Sequence, residues 1–316
     1  MRRTAIKDIS KPVVYTALVG VCFIWGGAFA AIKMLLDVLS PAELVKIRYA
    51  LAFPFFAVFL LTRNRVELST KIRAHPWRII IAAFFGVVGY NISLAFGELE
   101  IPSGTASLII NLSPIFALVL AVLFLGEKMT AAKILGMLIS MCGVYLLVVT
   151  GGGEGPTRTY FVYAFITMLA PLSWAIYTTA CKALSNVFDS LTLTSLVMVT
   201  GSIPLFFFFR RSDWEAVKSL GALQWAMMIF LSYGCTIIGY SIWTLALRRL
   251  PSSKVSVFVY LIPISSLIIS ATLMNEIVTA GMMVGAGLLL VGVYIVNATK
   301  KDRMKEQTPS ASVKAA

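Results

Sequence analysis

The sequence predicts an all-α membrane protein whose ten transmembrane helices form two inverted five-helix repeats (5+5), and three observations carry that reading. Of 316 residues, 59% are hydrophobic and 13% charged, about half the charged fraction of an ordinary soluble domain. Apolar runs of roughly twenty residues lie between charged or Pro/Gly-rich breaks, the length that crosses a hydrocarbon core of about 30 Å. The two halves of the chain also match one another at an offset of 149 residues. A water-soluble fold has no means of hiding this much apolar surface.

The spans follow in order. The first, 14–36, lies behind the basic segment MRRTAIKDISK and shows no small-residue cleavage site, so it reads as a retained helix rather than a removable signal. It contains WGGAFAAIK at 25–33. Span 2, 41–62, opens on PAELVKIRYALA, and span 3, 77–97, begins at Trp77 and contains GYN at 89–91. Span 4, 102–125, begins and breaks on prolines, and span 5 covers 130–149. The glycine-rich stretch GGGEGPTRT at 151–159 is the joint between a first unit, 14–149, and a second, 160–297. The second unit gives spans 160–182, 190–209, 223–247, 252–273 and 278–297. Trp77 and Trp225 start spans, where tryptophan anchors at the interface. Residues 298–316 read as a basic, disordered cytoplasmic tail.

Charge sets the orientation. Lys and Arg number 20 on the side of the two termini and 7 on the other, so the positive-inside rule places both termini in the cytoplasm. The expected location is a bacterial inner (cell) membrane. The net charge of +13 is spread in short clusters between apolar segments, which argues for membrane topology and against a nucleic-acid partner. Cys22, Cys142, Cys181 and Cys235 all fall in apolar runs and read as small core residues.

The repeat pairs Trp25 with Trp174, Lys33 with Lys182, Pro114 with Pro263, Glu127 with Glu276 and Gly143 with Gly292. Between 102–147 and 251–296, 14 of 46 positions are identical, more than biased apolar composition alone gives. An odd number of helices per unit forces the second copy into the membrane from the opposite face. Such inverted repeats are a hallmark of secondary transporters, because two copies that exchange conformations open a central site to alternate sides.

WGGAFAAIK, PAELVKIRYALA and IPSGTASLIINLSPIFALVLAVLFLGEKMTAAKILGMLISMCGVYLLV resemble the EamA domain, the unit of the drug/metabolite transporter superfamily. The stretch LPSSKVSVFVYLIPISSLIISATLMNEIVTAGMMVGAGLLLVGVYIV repeats it, so the resemblance covers nearly the whole chain. Its most specific part is a Pro, then GE or NE, then a glycine-containing run ending in GVY, which occurs twice; Asn275 in place of Gly126 departs from the first copy. The resemblance implies a ten-helix carrier with a central cavity, of a kind that commonly exports amino acids, other metabolites or toxic compounds.

The candidate site residues come from the middles of the spans. Pro114 and Pro263 each remove a backbone hydrogen bond and break or kink a helix, and matched broken helices point to a midplane site. Asn111 and Tyr260 precede those prolines, with Ser107 and Ser256 one turn earlier. Trp25 and Trp174 lie far from the interfaces, where a buried indole N–H demands an acceptor or a stacked ligand. Tyr90 and Asn91, echoed by Tyr240 and Ser241, complete a candidate substrate cavity. Helix packing is the rival reading for each. Gly26 and Gly27, Gly136 with Gly143, and Gly285 with Gly287 and Gly292 read as small surfaces for close helix contact.

Among charges, Arg48 either meets a substrate carboxylate or snorkels outward, and snorkelling is expected because Lys46 and the helix start are close. Glu98 and Glu100 read as solvated loop residues, and Glu127 and Glu276 as caps or gates at span ends. No Asp or Glu lies mid-membrane, which leaves a buried carboxylate relay without support. The expectation is a secondary transporter of a small organic metabolite, an amino acid or similar amphipathic solute, exporting by alternating access. Uptake or facilitated movement is the alternative, and a channel or membrane enzyme a remote one. His75 is the only histidine and sits in a basic loop, so no enzyme, metal or cofactor is expected. The expected partners are the solute and the lipid bilayer; oligomeric state, substrate and coupling ion stay open.

Overall fold

The structure is a computed structural model that describes residues 11–125, 130–151, 157–250, 255, 257–273 and 278–306. The first half contains α1 (Lys11–Leu36), α2 (Pro41–Leu61), the short α3 (Arg65–Ala74), α4 (Pro76–Gly97), α5 (Ser103–Ile110), α6 (Ser113–Leu125) and α7 (Ala131–Gly151). The second contains α8 (Arg158–Leu184), α9 (Ser190–Phe207), the short α10 (Arg211–Ser219), α11 (Ala222–Arg249), α12 (Ile262–Leu273) and α13 (Ala280–Glu306). All regular structure among the described residues is helical. Eight segments are long and apolar enough to cross a membrane, Ser103–Leu120 counting as one, and Phe258–Leu273 and Ala280–Ile295 are shorter apolar helices. These segments fall on the ten predicted spans.

Local chemistry sets the helix starts. Ser40 caps α2 in a reciprocal box: its Oγ accepts from the Glu43 N–H at 3.3 Å, and the Glu43 carboxylate accepts from the Ser40 N–H at 2.8 Å. Asp189 plays the same part for α9, accepting from the Thr192 N–H at 3.1 Å. Span 4 breaks between α5 and α6. Pro114 lacks an N–H and sits in the first turn of α6, and the chain ahead of it tightens: the N–H groups of Asn111 and Leu112 donate to the carbonyls of Leu108 and Ile109, each at 3.0 Å. At the matching place in the second half, a 3-10 stretch over Val257–Leu261 runs into α12 just ahead of Pro263. Both α4 and α11 also contain a π-helical stretch, Phe84–Gly89 and Phe230–Gly239.

Three expectations are corrected. Helices α3 and α10 occupy connections read as loops. Helix α13 runs past the predicted end at 297 to Glu306, over a sequence, ATKKDRMKE, in which most residue types are good helix formers; the rest of the predicted tail lies outside the described residues. A Cβ placed on Gly287 would have nothing within 4 Å, so this glycine faces open space and takes no part in a helix contact.

The halves meet through contacts that recur with the partners exchanged. In α7 and α13, a Cβ on Gly143 would lie 2.5 Å from the Leu289 nitrogen and 2.7 Å from the Gly285 carbonyl oxygen. A Cβ on Gly292 would collide with the Gly136 carbonyl and lie 2.6 Å from the Ser140 nitrogen. Residues 292 and 285 are the repeat counterparts of 143 and 136, so one contact is made twice. Lys33 Nζ donates to the carbonyls of Glu98 and Leu99 at 2.6 and 3.2 Å, and its counterpart Lys182 to those of Leu247 and Leu250 at 2.6 and 3.1 Å. Gly26 lets α1 approach Ser265 of α12 too closely for any larger residue. Two ion pairs lie near the ends of α2, one at Lys46 and one at Arg63 just past its last turn. Lys46 meets the fully buried Asp213 of α10, and Arg63 meets Asp189 at 3.1 Å.

Candidate functional site

Between the halves lies a small, partly open recess. Its walls come from both units: Trp25, Ala28, Phe29 and Ile32 of α1, Arg48 of α2, Tyr90 and Leu94 of α4, and Ile110 of α5, facing Trp174 of α8, Tyr240 of α11, and Val259 and Ile262. Among the described residues the lining is apolar and aromatic, with one fixed charge, Arg48.

The aromatic wall is a packed cluster. Trp25 and Trp174, repeat counterparts, meet edge to face with centroids 5.2 Å apart and planes at 87°. Tyr240 touches both, at 5.9 and 5.6 Å, and Tyr90 packs on Trp174 at 5.2 Å. Behind this layer stand Trp243, at 5.4 Å from each Trp, and Tyr177 at 5.1 Å from Trp174. Each such pair adds about 0.5–1.5 kcal/mol beyond burial. The Trp25 indole N–H finds an acceptor across the interface, donating to the Cys235 carbonyl at 3.0 Å. Gly239 makes room for that ring, since a Cβ there would sit 2.5 Å from the Trp25 Nε1.

Arg48 does not snorkel, contrary to expectation. It is 4% exposed and donates from Nε to Thr236 Oγ1 at 2.9 Å and from Nη1 to Asn91 Oδ1 at 3.0 Å. The helix start lies near, but α4 and α11 supply acceptors that hold the guanidinium inward. Asn91 is itself fixed: its Nδ2 donates to Tyr49 Oη at 2.8 Å and to the carbonyls of Val87 and Gly86 at 2.9 and 3.2 Å. Gly86 belongs to the π-helical stretch of α4, and its carbonyl also accepts from Tyr240 Oη at 3.1 Å. The widened turn thus presents a backbone acceptor to both halves, a common role for π-helical insertions near functional sites.

The recess therefore gathers Trp25, Arg48, Tyr90, Trp174 and Tyr240, with Asn91 one layer behind. Asn111 is fully buried outside the wall, donating to the Ser107 carbonyl at 3.1 Å, while the neighbouring Ile110 lines the recess. Ser107 donates to the Gly104 carbonyl at 2.6 Å, a bond within its own helix. Tyr260 is half-buried outside the wall. Ser256, Glu127 and Glu276 lie outside the described residues. Glu98 is wholly buried rather than solvated; its carbonyl is one of those that Lys33 holds. Sequence reasoning passes over Tyr49, Tyr177, Thr236 and Trp243. Tyr177 follows Trp174 by one helical turn, a usable signal, whereas Trp243 has Leu94 as its repeat counterpart and so leaves no echo.

The arrangement sets a buried cation beside aromatic faces, the combination of one polar group and an apolar wall that small-molecule sites use. The EamA-like transporter family matches residues 13–149 and again 161–298. An Archaeoglobus fulgidus protein named an uncharacterized transporter is 35% identical over 86% of this chain and 94% of its own. A Streptantibioticus cattleyicolor protein named a probable terminal-alkyne amino-acid exporter is 28% identical over 92% of this chain and 95% of its own. A probable amino-acid metabolite efflux pump of Escherichia coli is 26% identical, covering 87% and 91%. A solved crystal structure shares the fold over 94% of this chain and 100% of its own, with a TM-score of 0.64 at 19% identity.

Proposed function

The chain belongs to the EamA-like transporter family, and from that premise we propose that it is a secondary carrier exporting a small organic metabolite, an amino acid or similar amphipathic solute, by alternating access. The observation that carries the reading is the recess walled by both halves, with the counterpart residues Trp25 and Trp174 in edge-to-face contact in its wall. Two inverted five-helix units, 14–149 and 160–297, account for the exchanged glycine and lysine contacts. A site on their axis is the place where swapping conformations changes the side of access. Export is favoured by the relatives named exporters and efflux pumps. The proposed setting is a bacterial inner membrane, with both termini cytoplasmic.

The test is solute counterflow in proteoliposomes with a panel of amino acids and related metabolites. A carrier gives saturable uptake that a trans gradient of the same solute accelerates. Absence of flux for the whole panel, or an ion current in its place, would sink the proposal. Everted vesicles compared with intact cells read the direction.

A further inference from the structure

Resting on the carrier reading above, we propose that Arg48 is the receptor for a substrate carboxylate, and that the cargo is an organic acid anion whose apolar or aromatic body lies among the recess indoles and for which an amino group is dispensable. A guanidinium carries its charge at every physiological pH and has five donors. Two are spent, on Thr236 and Asn91, and both acceptors are neutral. Among the described residues Nη2 and the second hydrogen of Nη1 take no partner, which leaves one edge of the fork free at the recess wall. That edge matches a carboxylate in the bidentate manner.

Several other cations differ. Lys46 has Asp213, Arg63 has Asp189, and Lys33 and Lys182 each have two carbonyls. Among the described residues Arg48 makes no ion pair, and beside its two hydrogen bonds it has only the Tyr49 ring at 5.8 Å, an arrangement costly at this depth unless an anion arrives. The framework does not demand it either, because its repeat counterpart is Val197, fully buried in α9. The fold builds the same helix without the cation. Among the described residues the recess lining includes no carboxylate, so a substrate ammonium meets aromatic faces there, and the charge that decides binding is the acid's.

Purified protein in proteoliposomes is titrated with 3-phenylpropionate, its amide 3-phenylpropanamide, and L-phenylalanine, with quenching of the recess tryptophans as the signal. The two acids are expected to quench saturably and the amide at least about tenfold more weakly, roughly the loss of one charge-assisted contact. Arg48→Gln is expected to remove the acid's advantage and leave the amide unchanged, and Arg48→Lys to restore part of it. Equal binding of acid and amide, no quenching by any probe, equal quenching by chloride alone, or an unaltered acid affinity in Arg48→Gln each overturns the inference. The wild-type comparison of acid with amide stands even if the variant fails to fold. Counterflow that carries acid and amide equally well leaves the carrier reading intact and rejects this one. Loss of all counterflow with acid-selective binding preserved does the reverse.

Discussion

Replacing Asp213 with Asn strands a buried ammonium. The Asp213 carboxylate has 0% side-chain exposure and its partner Lys46 has 10%, so solvent cannot take over the missing charge. Removing one partner of a buried pair costs about 3–5 kcal/mol. Here the lower end applies, about 3 kcal/mol, for two reasons. Lys46 Nζ keeps the Phe208 carbonyl at 3.3 Å and the Phe209 ring at 5.7 Å. The substituted amide can also still accept from the Arg210 N–H, which now bonds to Asp213 Oδ2. Removing both charges, in Lys46→Met with Asp213→Leu, is expected to fall within about 1 kcal/mol of the native protein, since apolar replacement of a buried pair is often neutral. Denaturant unfolding in detergent micelles, run as a double-mutant cycle, measures the coupling. A cost below about 1 kcal/mol for Asp213→Asn, or a double variant as unstable as the sum of the singles, would refute the assignment of this pair as a coupled lock between α2 and α10.

Other outcomes follow from the same geometry. Gly143→Leu and Gly292→Leu each drive a side chain into opposing backbone and are expected to abolish folded yield, whereas Gly287→Ala, with nothing within 4 Å, should change stability by less than about 0.5 kcal/mol; size-exclusion profiles and melting curves separate the cases. Lys33→Met and Lys182→Met each release two carbonyls and should destabilise by similar amounts, about 1.5–3 kcal/mol for a bond to a charged group, so a large inequality in melting would contradict the exchanged symmetry. Trp25→Phe loses the bond to Cys235 and should cost about 1 kcal/mol beyond the lost ring contacts, read from the same melting curves. Trp174→Ala strips one wall from the recess and should lower counterflow by about tenfold, the equivalent of 1.4 kcal/mol.

Much of the fold is legible in the sequence because the bilayer leaves few choices. A span must be apolar over a fixed length, and a duplicated unit writes its counterparts at a constant offset. That is why Trp25 and Trp174, or Gly143 and Gly292, stand out from the sequence alone, and why the lysines at 33 and 182 read as one feature. What the offset cannot reveal is anything used once. Arg48 has Val197 as its counterpart and its depth along α2 alone favours an outward reach; its inward placement depends on acceptors 43 and 188 residues away. Trp243 is silent for the same reason. Asn111 departs from expectation for a different cause: the break ahead of Pro114 turns its amide back to the Ser107 carbonyl, giving Ile110 the wall position. Glu98 reads as solvated because it follows a span, yet the turn that Lys33 holds folds it inward.

The glycine seam between α7 and α13 also bears on how this molecule can move. From Gly136 beside Gly292 to Thr150 beside Gly281, it runs about 20 Å along the helices, and much of it is main chain against main chain. Helices that slide past one another do so by their side chains hopping between rotamers and grooves, and here there are few side chains to hop. Such a junction has no ratchet and little slack. On the proposed carrier reading it serves as an axle: spin labels placed on α7 and α13 are expected to keep a constant separation, and opening and shutting are expected in the helices farthest from the seam.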